Sequence, residues 1–166
     1  MLDSLYIIGI TLCALIIPNL TYVADARQRA NRYLALFVAC IALILVEKLL
    51  LSRGVHETWP HLHMTAYPLY FALGPLLYLY VLAMSKREFQ WHPKLTLHFQ
   101  PLAICILVLL PYYLQPTDAK MAVLTGYSDS GYGGSRAISW LLVPFSLSLL
   151  IYSLLSIFRL RRHRRE

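Results

Sequence analysis

The sequence predicts an all-helical protein that crosses a membrane several times, and three observations carry that reading. Hydrophobic residues make up 58% of the chain and its mean hydropathy is +0.57, whereas a soluble domain is nearer one half apolar or below. The stretch YPLYFALGPLLYLYVLAM, residues 67–84, runs eighteen residues without a charge. At 1.5 Å per residue that is about the length that crosses a ~30 Å hydrocarbon layer. Third, Lys and Arg gather on alternate sides of successive apolar windows, as they do in chains oriented by cytoplasmic positive charge.

Five windows are read as spans, about 5–23, 33–51, 65–84, 99–114 and 137–158, because a lipid-exposed strand cannot satisfy its own backbone. The first follows MLDS, an acidic start with no basic leader and no small-x-small site after it, so it is a span rather than a cleaved signal. Arg27, Arg29 and Arg32 follow it. The second window ends near Glu47 and Lys48 and gives way to a histidine-rich connection, 52–64. The third holds Gly74-Pro75 and four tyrosines, Tyr67, Tyr70, Tyr78 and Tyr80, and is followed by Lys86, Arg87 and Lys94. The fourth is joined to the fifth by 115–136, whose TGYSDSGYGGS has no helical period and is read as a mobile loop in preference to an ordered ligand-facing cap, which composition does not separate from it. A basic tail, 159–166, closes the chain with Arg159, Arg161, Arg162, Arg164 and Arg165. Eleven of the fifteen Lys and Arg thus fall on one side, and only Lys48, Arg53, Lys120 and Arg136 on the other. That places the N-terminus outside and the C-terminus in the cytoplasm.

Candidate functional residues are few. Charges inside a span are costly unless they face the bundle, pair or reach the interface. Lys48 is expected to snorkel outward, and Glu47 either makes an inward polar contact or merely sits at the interface. Pro18, Pro68, Pro75, Pro101, Pro111 and Pro144 fall in or at the ends of spans. Proline is common in membrane helices, yet Gly74-Pro75 in mid-span also has the character of a hinge or pocket wall. Tyr67 and Tyr80 fit an interfacial aromatic belt, while the more central Tyr70 and Tyr78 are pocket candidates. Ser139, Ser146 and Ser153 recur every seven residues and form a narrow strip for close helix packing or self-association.

Several classes are set aside. In HETWPHLH, His56-Glu57 starts like a metalloprotease helix, but Pro60 stands where the second histidine belongs and would break the helix. His56, His61 and His63 are therefore weak metal candidates, expected in a solvated loop. Cys13, Cys40 and Cys105 lie inside apolar runs without disulfide or metal spacing. GYSDSG, around Ser128 and Ser130, is no nucleophile elbow, for lack of a glycine two positions after Ser128. No enzyme and no cofactor is expected. The +7 charge is read as a topology determinant held against anionic lipid, with no direct nucleic-acid binding by these residues.

Gly74-Pro75-Leu76-Leu77-Tyr78-Leu79-Tyr80-Val81, then a basic loop, then Leu97-His98-Phe99-Gln100-Pro101, resembles the membrane-embedded N-terminal region of bacterial AraC-type transcriptional regulators. The segment from Ile151-Tyr152-Ser153 to the terminal arginines is similar to that family's fifth helix and the basic stretch after it. The likeness covers about 67–166, and the first two helices only by hydropathy. It implies a sensory or anchoring region of the bacterial inner membrane that relays a signal to a cytoplasmic helix-turn-helix domain. The ligand or hinge candidates of the chain are Glu47, Tyr70, Gly74, Pro75, Tyr78 and His98. The family pattern has seven helices and this chain shows five windows and no DNA-binding domain. The expectation is therefore either a fragment or a truncated relative. The competing expectation is a small membrane subunit or adaptor, bound to lipid and to a second copy or a partner membrane protein. A transporter or membrane enzyme ranks below both, since no inverted repeat is visible.

Overall fold

The computed structural model describes residues 2–22, 28–85, 92–130 and 136–163, and leaves out the side chains of 125–130, 136–142, 162 and 163. Its helices are α1 (Leu2–Tyr22), α2 (Gln28–Ser52), the one-turn α3 (Val55–Thr58), α4 (Tyr67–Ser85), α5 (Gln100–Tyr113), α6 (Thr117–Ser130) and α7 (Arg136–His163). Short 3₁₀ turns, Pro60–Leu62 and Pro93–Phe99, lead into α4 and α5. No strand occurs among the described residues. Five segments are long and apolar enough to cross a membrane: Leu2–Tyr22, Gln28–Ser52, Pro60–Ser85, Pro93–Tyr113 and Val143–Arg161. They correspond one to one with the windows in the sequence. Helix runs unbroken across Pro18, Pro75, Pro111 and Pro144.

Specific contacts fix the direction of each crossing. Ser52 Oγ donates to Asp3 Oδ1 at 2.6 Å and Arg53 Nε lies 3.6 Å from Asp3 Oδ2, so the start of α1 meets the end of α2. At the other end, Tyr33 of α2 packs with Leu79 and Leu82 of α4 and with Leu95 and Phe99 at the entry to α5. Tyr113 Oη, at the end of α5, donates to the carbonyl of Met64 at 2.9 Å, just before α4. Phe145 of α7 stands edge-on to Tyr70 at 5.1 Å, and Tyr152 lies 6.2 Å from Tyr78. The long helices therefore alternate in direction, with α7 parallel to α4.

The two ends of the bundle differ in charge. All four acidic residues with described side chains, Asp3, Glu47, Glu57 and Asp118, lie at one end, which we call the acidic end. Arg29, Arg32, Lys94, Arg159 and Arg161 lie at the opposite, basic end. Lys48, Arg53 and Lys120 share the acidic end. Arg27, Lys86, Arg87, Arg164 and Arg165, which the sequence also assigns to the basic side, fall outside the described residues, as do the acids of the same stretches, Asp25, Glu88 and Glu166.

α4 is the hub. Half of its apolar window is buried, against 6% to 17% in the other four spans, and it packs on α2, α5 and α7. The uncharged stretch 67–84 can be surrounded by protein because it presents apolar or small residues on every side. Among apolar helices, close approach and polar contacts take over from the hydrophobic effect. Gly74 shows why a small residue stands in mid-helix: a Cβ there would lie 2.7 Å from Cδ2 of Tyr152. On the far flank, a Cβ on Gly9 of α1 would lie 2.8 Å from Leu45 Cδ1 of α2.

Two connections differ from expectation. Residues 115–136 are not a loop throughout, since Thr117–Ser130 is α6. Asp118 in its first turn suits the helix dipole, and Lys120 anchors it to the turn before α4, a tertiary tie that composition does not register. The histidine-rich connection is exposed at Arg53, Glu57, Trp59 and Leu62, but its histidines are not all solvated: His56 and His63 are 2% and 7% exposed, and of the three only His61 is open to solvent.

Candidate functional site

A polar cluster occupies the acidic end. Glu47, on the inward face of α2, is 6% exposed, and neither carboxylate oxygen makes a hydrogen bond of good geometry, although the backbone of Met64 and Ala66 interacts favourably with it. It lies beside the backbone of Met64 and Ala66 at the entry to α4, where helix amides carry partial positive charge. Met64 itself has φ +64°, in the left-handed region that costs a side-chain-bearing residue about 1–3 kcal/mol. Its burial at 2% and the hydroxyl of Tyr113 on its carbonyl hold it there. His56 is as buried as Met64, and both its ring nitrogens are unpaired. The ring of His63 stands edge-on to it at 5.7 Å, and His63 Nδ1 shares a 2.6 Å hydrogen bond with the Tyr112 hydroxyl. Lys48 is half-buried and holds its Nζ 5.4 Å over the ring of Tyr67.

Lys120 stands beside this cluster, 2% exposed. Its Nζ donates to the Tyr113 carbonyl at 2.9 Å and contacts His61 Nδ1 at 2.7 Å, 5.8 Å above the Tyr112 ring. An ammonium has no lone pair, so Nδ1 must be the acceptor, which leaves Nε2 of His61 facing Thr117 Oγ1 at 3.4 Å. The three histidines thus do not converge: His61 turns to Lys120 and Thr117, His63 to Tyr112, and the ring nitrogens of His56 to no hydrogen-bond partner. Among the described residues, no group of three or more His, Cys, Asp or Glu side chains converges to hold a metal ion.

A second constellation lies nearer the basic end, centred on Tyr152 of α7. Its hydroxyl donates to the carbonyl of His98 at 2.9 Å, and Nδ1 of His98 lies 3.3 Å from the same oxygen. The rings of Tyr78 and His98 are 5.0 Å apart and those of His98 and Tyr152 5.6 Å. Since Tyr152 also fills the notch left by Gly74, one side chain ties α7 to mid-α4 and to the entry of α5. Between α5 and α7 runs an open groove of about 480 Å³, walled chiefly by apolar residues such as Ile104, Val108, Leu147 and Ile151, with His98, Gln100 and Tyr152 among its polar members. Ser148, on the same wall, has a buried hydroxyl with no partner. Elsewhere helical hydroxyls bond back one turn, as Thr11 does to Ile7, Ser85 to Val81 and Ser156 to Tyr152.

The sequence-derived candidates therefore divide. Gly74, Tyr78 and His98 come together around Tyr152, with Pro75 buried next to Gly74. Glu47 and Tyr70 belong to the other end, where Tyr70 packs between Tyr67 and Phe145. Ser146 is exposed and Ser153 half-buried, while the side chain of Ser139 falls outside the described residues. α7 turns Phe145, Tyr152 and Ser156 inward. Sequence reasoning passed over Tyr112, Tyr113, Lys120 and Tyr152. Only the Tyr112-Tyr113 pair at the end of a span carried a signal, and it matched an interfacial belt equally well.

No family model, curated protein or solved structure matches the chain. The resemblance to AraC-type regulators rests on the residues that carry it.

Proposed function

We propose that this chain is a membrane sensory and anchoring domain. Occupancy of the α5–α7 groove sets the position of α7 against α4, and α7 carries that position to its basic end. The observation that supports the reading is the placement of Tyr152, which lines the groove, fills the Gly74 notch of the hub helix and is hydrogen-bonded to His98 at the entry to α5. A ligand in the groove that displaces Tyr152 must move α7 or break those contacts. A packed interface answers by shifting between discrete arrangements rather than by deforming smoothly.

Placement of the basic end of α7 in the cytoplasm is supported by the excess of Lys and Arg on that side, and a bacterial inner membrane by the likeness to AraC-type membrane regions alone. A transcriptional output is supported only by the likeness of 74–81 and 97–101 to AraC-type membrane regions. The test is a reporter domain fused after Glu166 in cells. Output is expected to change with Tyr152→Ala and Pro75→Ala. A reporter indifferent to substitutions at Tyr152, Pro75 and Glu47, in chains that reach the membrane in normal amounts, overturns the sensory reading.

A further inference from the structure

We infer that the α5–α7 groove takes a single-chain fatty acid, its carboxylate at the His98–Gln100 end and its alkyl chain running toward Val108 and Pro144. The inference rests on the groove being the input site of the sensory reading, and it names what enters.

Shape comes first. The lining runs from Leu97 to Val108 on one wall and from Pro144 to Leu155 on the other, eleven residues apart in each case. That makes a trough about 16 Å long at 1.5 Å per residue. A trough of that length suits an extended alkyl chain better than a compact ring system.

Polarity is graded along the trough. His98, Gln100 and Tyr152 stand toward the basic end, and Cys105, Val108, Pro144 and Leu147 toward the other. Lys94 lies on the turn that leads into α5. An imidazole, a carboxamide and a nearby ammonium offer donors to an anionic head, and a carboxylate gains most from charge-assisted hydrogen bonds. A neutral alcohol of the same length fills the same trough without that gain.

The experiment uses the full chain reconstituted in phosphatidylcholine vesicles with a diazirine-bearing palmitic acid. After irradiation, label is expected on α5 and α7 peptides that contain the lining residues. Unlabelled palmitate should displace it at least tenfold more effectively than hexadecanol, and His98→Ala should erase that preference. Leu147→Trp, which fills the trough, should cut labelling at least tenfold, and Ile104→Phe tests the same point if the first variant folds poorly. Leu107→Trp adds bulk to the exposed side of α5, where Leu107 is 66% exposed, and should leave labelling unchanged. Label spread evenly over α1 and α2, or label that survives both filling variants, would mean ordinary lipid contact and overturn the inference. Displacement by phosphatidylglycerol as readily as by palmitate would assign the groove to a phospholipid and overturn it too. Labelling that persists while the Glu166 reporter stays silent to substitution counts against the sensory reading alone. A responsive reporter without labelling counts against the fatty acid alone.

Discussion

Replacing Glu47 with leucine should stabilise the protein, although it removes the most deeply buried acid described in the structure. The carboxylate is 6% exposed, and its oxygens make no hydrogen bond of good geometry beyond a looser interaction with the Met64 and Ala66 backbone. A buried polar group without a partner costs about 1–3 kcal/mol, and a charged one more. Its position beside the Met64 and Ala66 backbone returns part of that, since a carboxylate at a helix start is worth about 0.3–1 kcal/mol. The remainder favours an apolar side chain of similar volume, in line with buried ionic groups whose hydrophobic replacement is neutral or stabilising by about 1–4 kcal/mol. We expect Glu47→Leu to raise the unfolding free energy by about 1–2 kcal/mol. At about 2–4 °C per kcal/mol for a chain of this size, the midpoint should rise by roughly 2–8 °C. Thermal unfolding in detergent micelles, followed by far-ultraviolet circular dichroism, measures it, with Glu47→Gln expected between leucine and wild type. A loss of 1 kcal/mol or more with leucine would refute the reasoning, because it would mean that the carboxylate is satisfied by contacts of its own.

Lys120→Met should do the reverse and cost about 1–3 kcal/mol in the same assay, because Lys120 satisfies the Tyr113 carbonyl and His61. Protease resistance of 117–130 should fall with it, and unchanged protection would show that α6 is anchored otherwise. Tyr152→Phe keeps the ring in the Gly74 notch and removes only the hydrogen bond to the His98 carbonyl, so unfolding should become easier by about 0.5–1.5 kcal/mol. Gly74→Val forces branched bulk against Tyr152, where even a Cβ would meet Cδ2 at 2.7 Å, and overpacking of that kind costs about 1–3 kcal/mol. Cysteine pairs set between α4 and α7 should cross-link more slowly in that variant. Single cysteines at Glu57 and Arg161 should be labelled by an impermeant thiol reagent from opposite faces of an oriented membrane, and labelling of both from one face would refute the charge-based threading.

The long helices were legible because the signal for a span is length and hydropathy, both local properties. The role of 67–84 as the hub was partly legible, since a stretch with no charge anywhere around it can be enclosed on all sides. The histidines show the limit of such reasoning. HETWPHLH is polar and proline-broken, which favours a loop, and it is indeed broken, into the one turn of α3 and a 3₁₀ turn, yet His56 and His63 are buried because the segment folds back between the end of α2 and the start of α4. Burial was decided by partners far along the chain, such as Tyr112, forty-nine positions from His63. α6 was missed for a related reason: glycine and serine weaken its intrinsic preference, while the tie from Lys120 to the end of α5 is invisible in a sliding window.

The groove was least legible, and the reason bears on function. Its walls come from two helices separated by α6, and each wall looks in sequence like any lipid-facing stretch, exposed leucines and isoleucines included. What distinguishes it is the placement of a few polar groups at one end and the dependence of α7 on one tyrosine. The Gly74-Pro75 pair had suggested a hinge because proline deprives the Phe71 carbonyl of its helical donor. The structure gives glycine a different task, the close approach of Tyr152. The two are compatible in one device, because a helix with a missing hydrogen bond bends at low cost where a neighbouring ring bears on it. Movement of Tyr152 by a groove occupant would press where α4 resists least. On this argument Pro75→Ala, which restores the donor and stiffens α4, should leave ligand labelling intact while weakening the reporter response, separating recognition from relay.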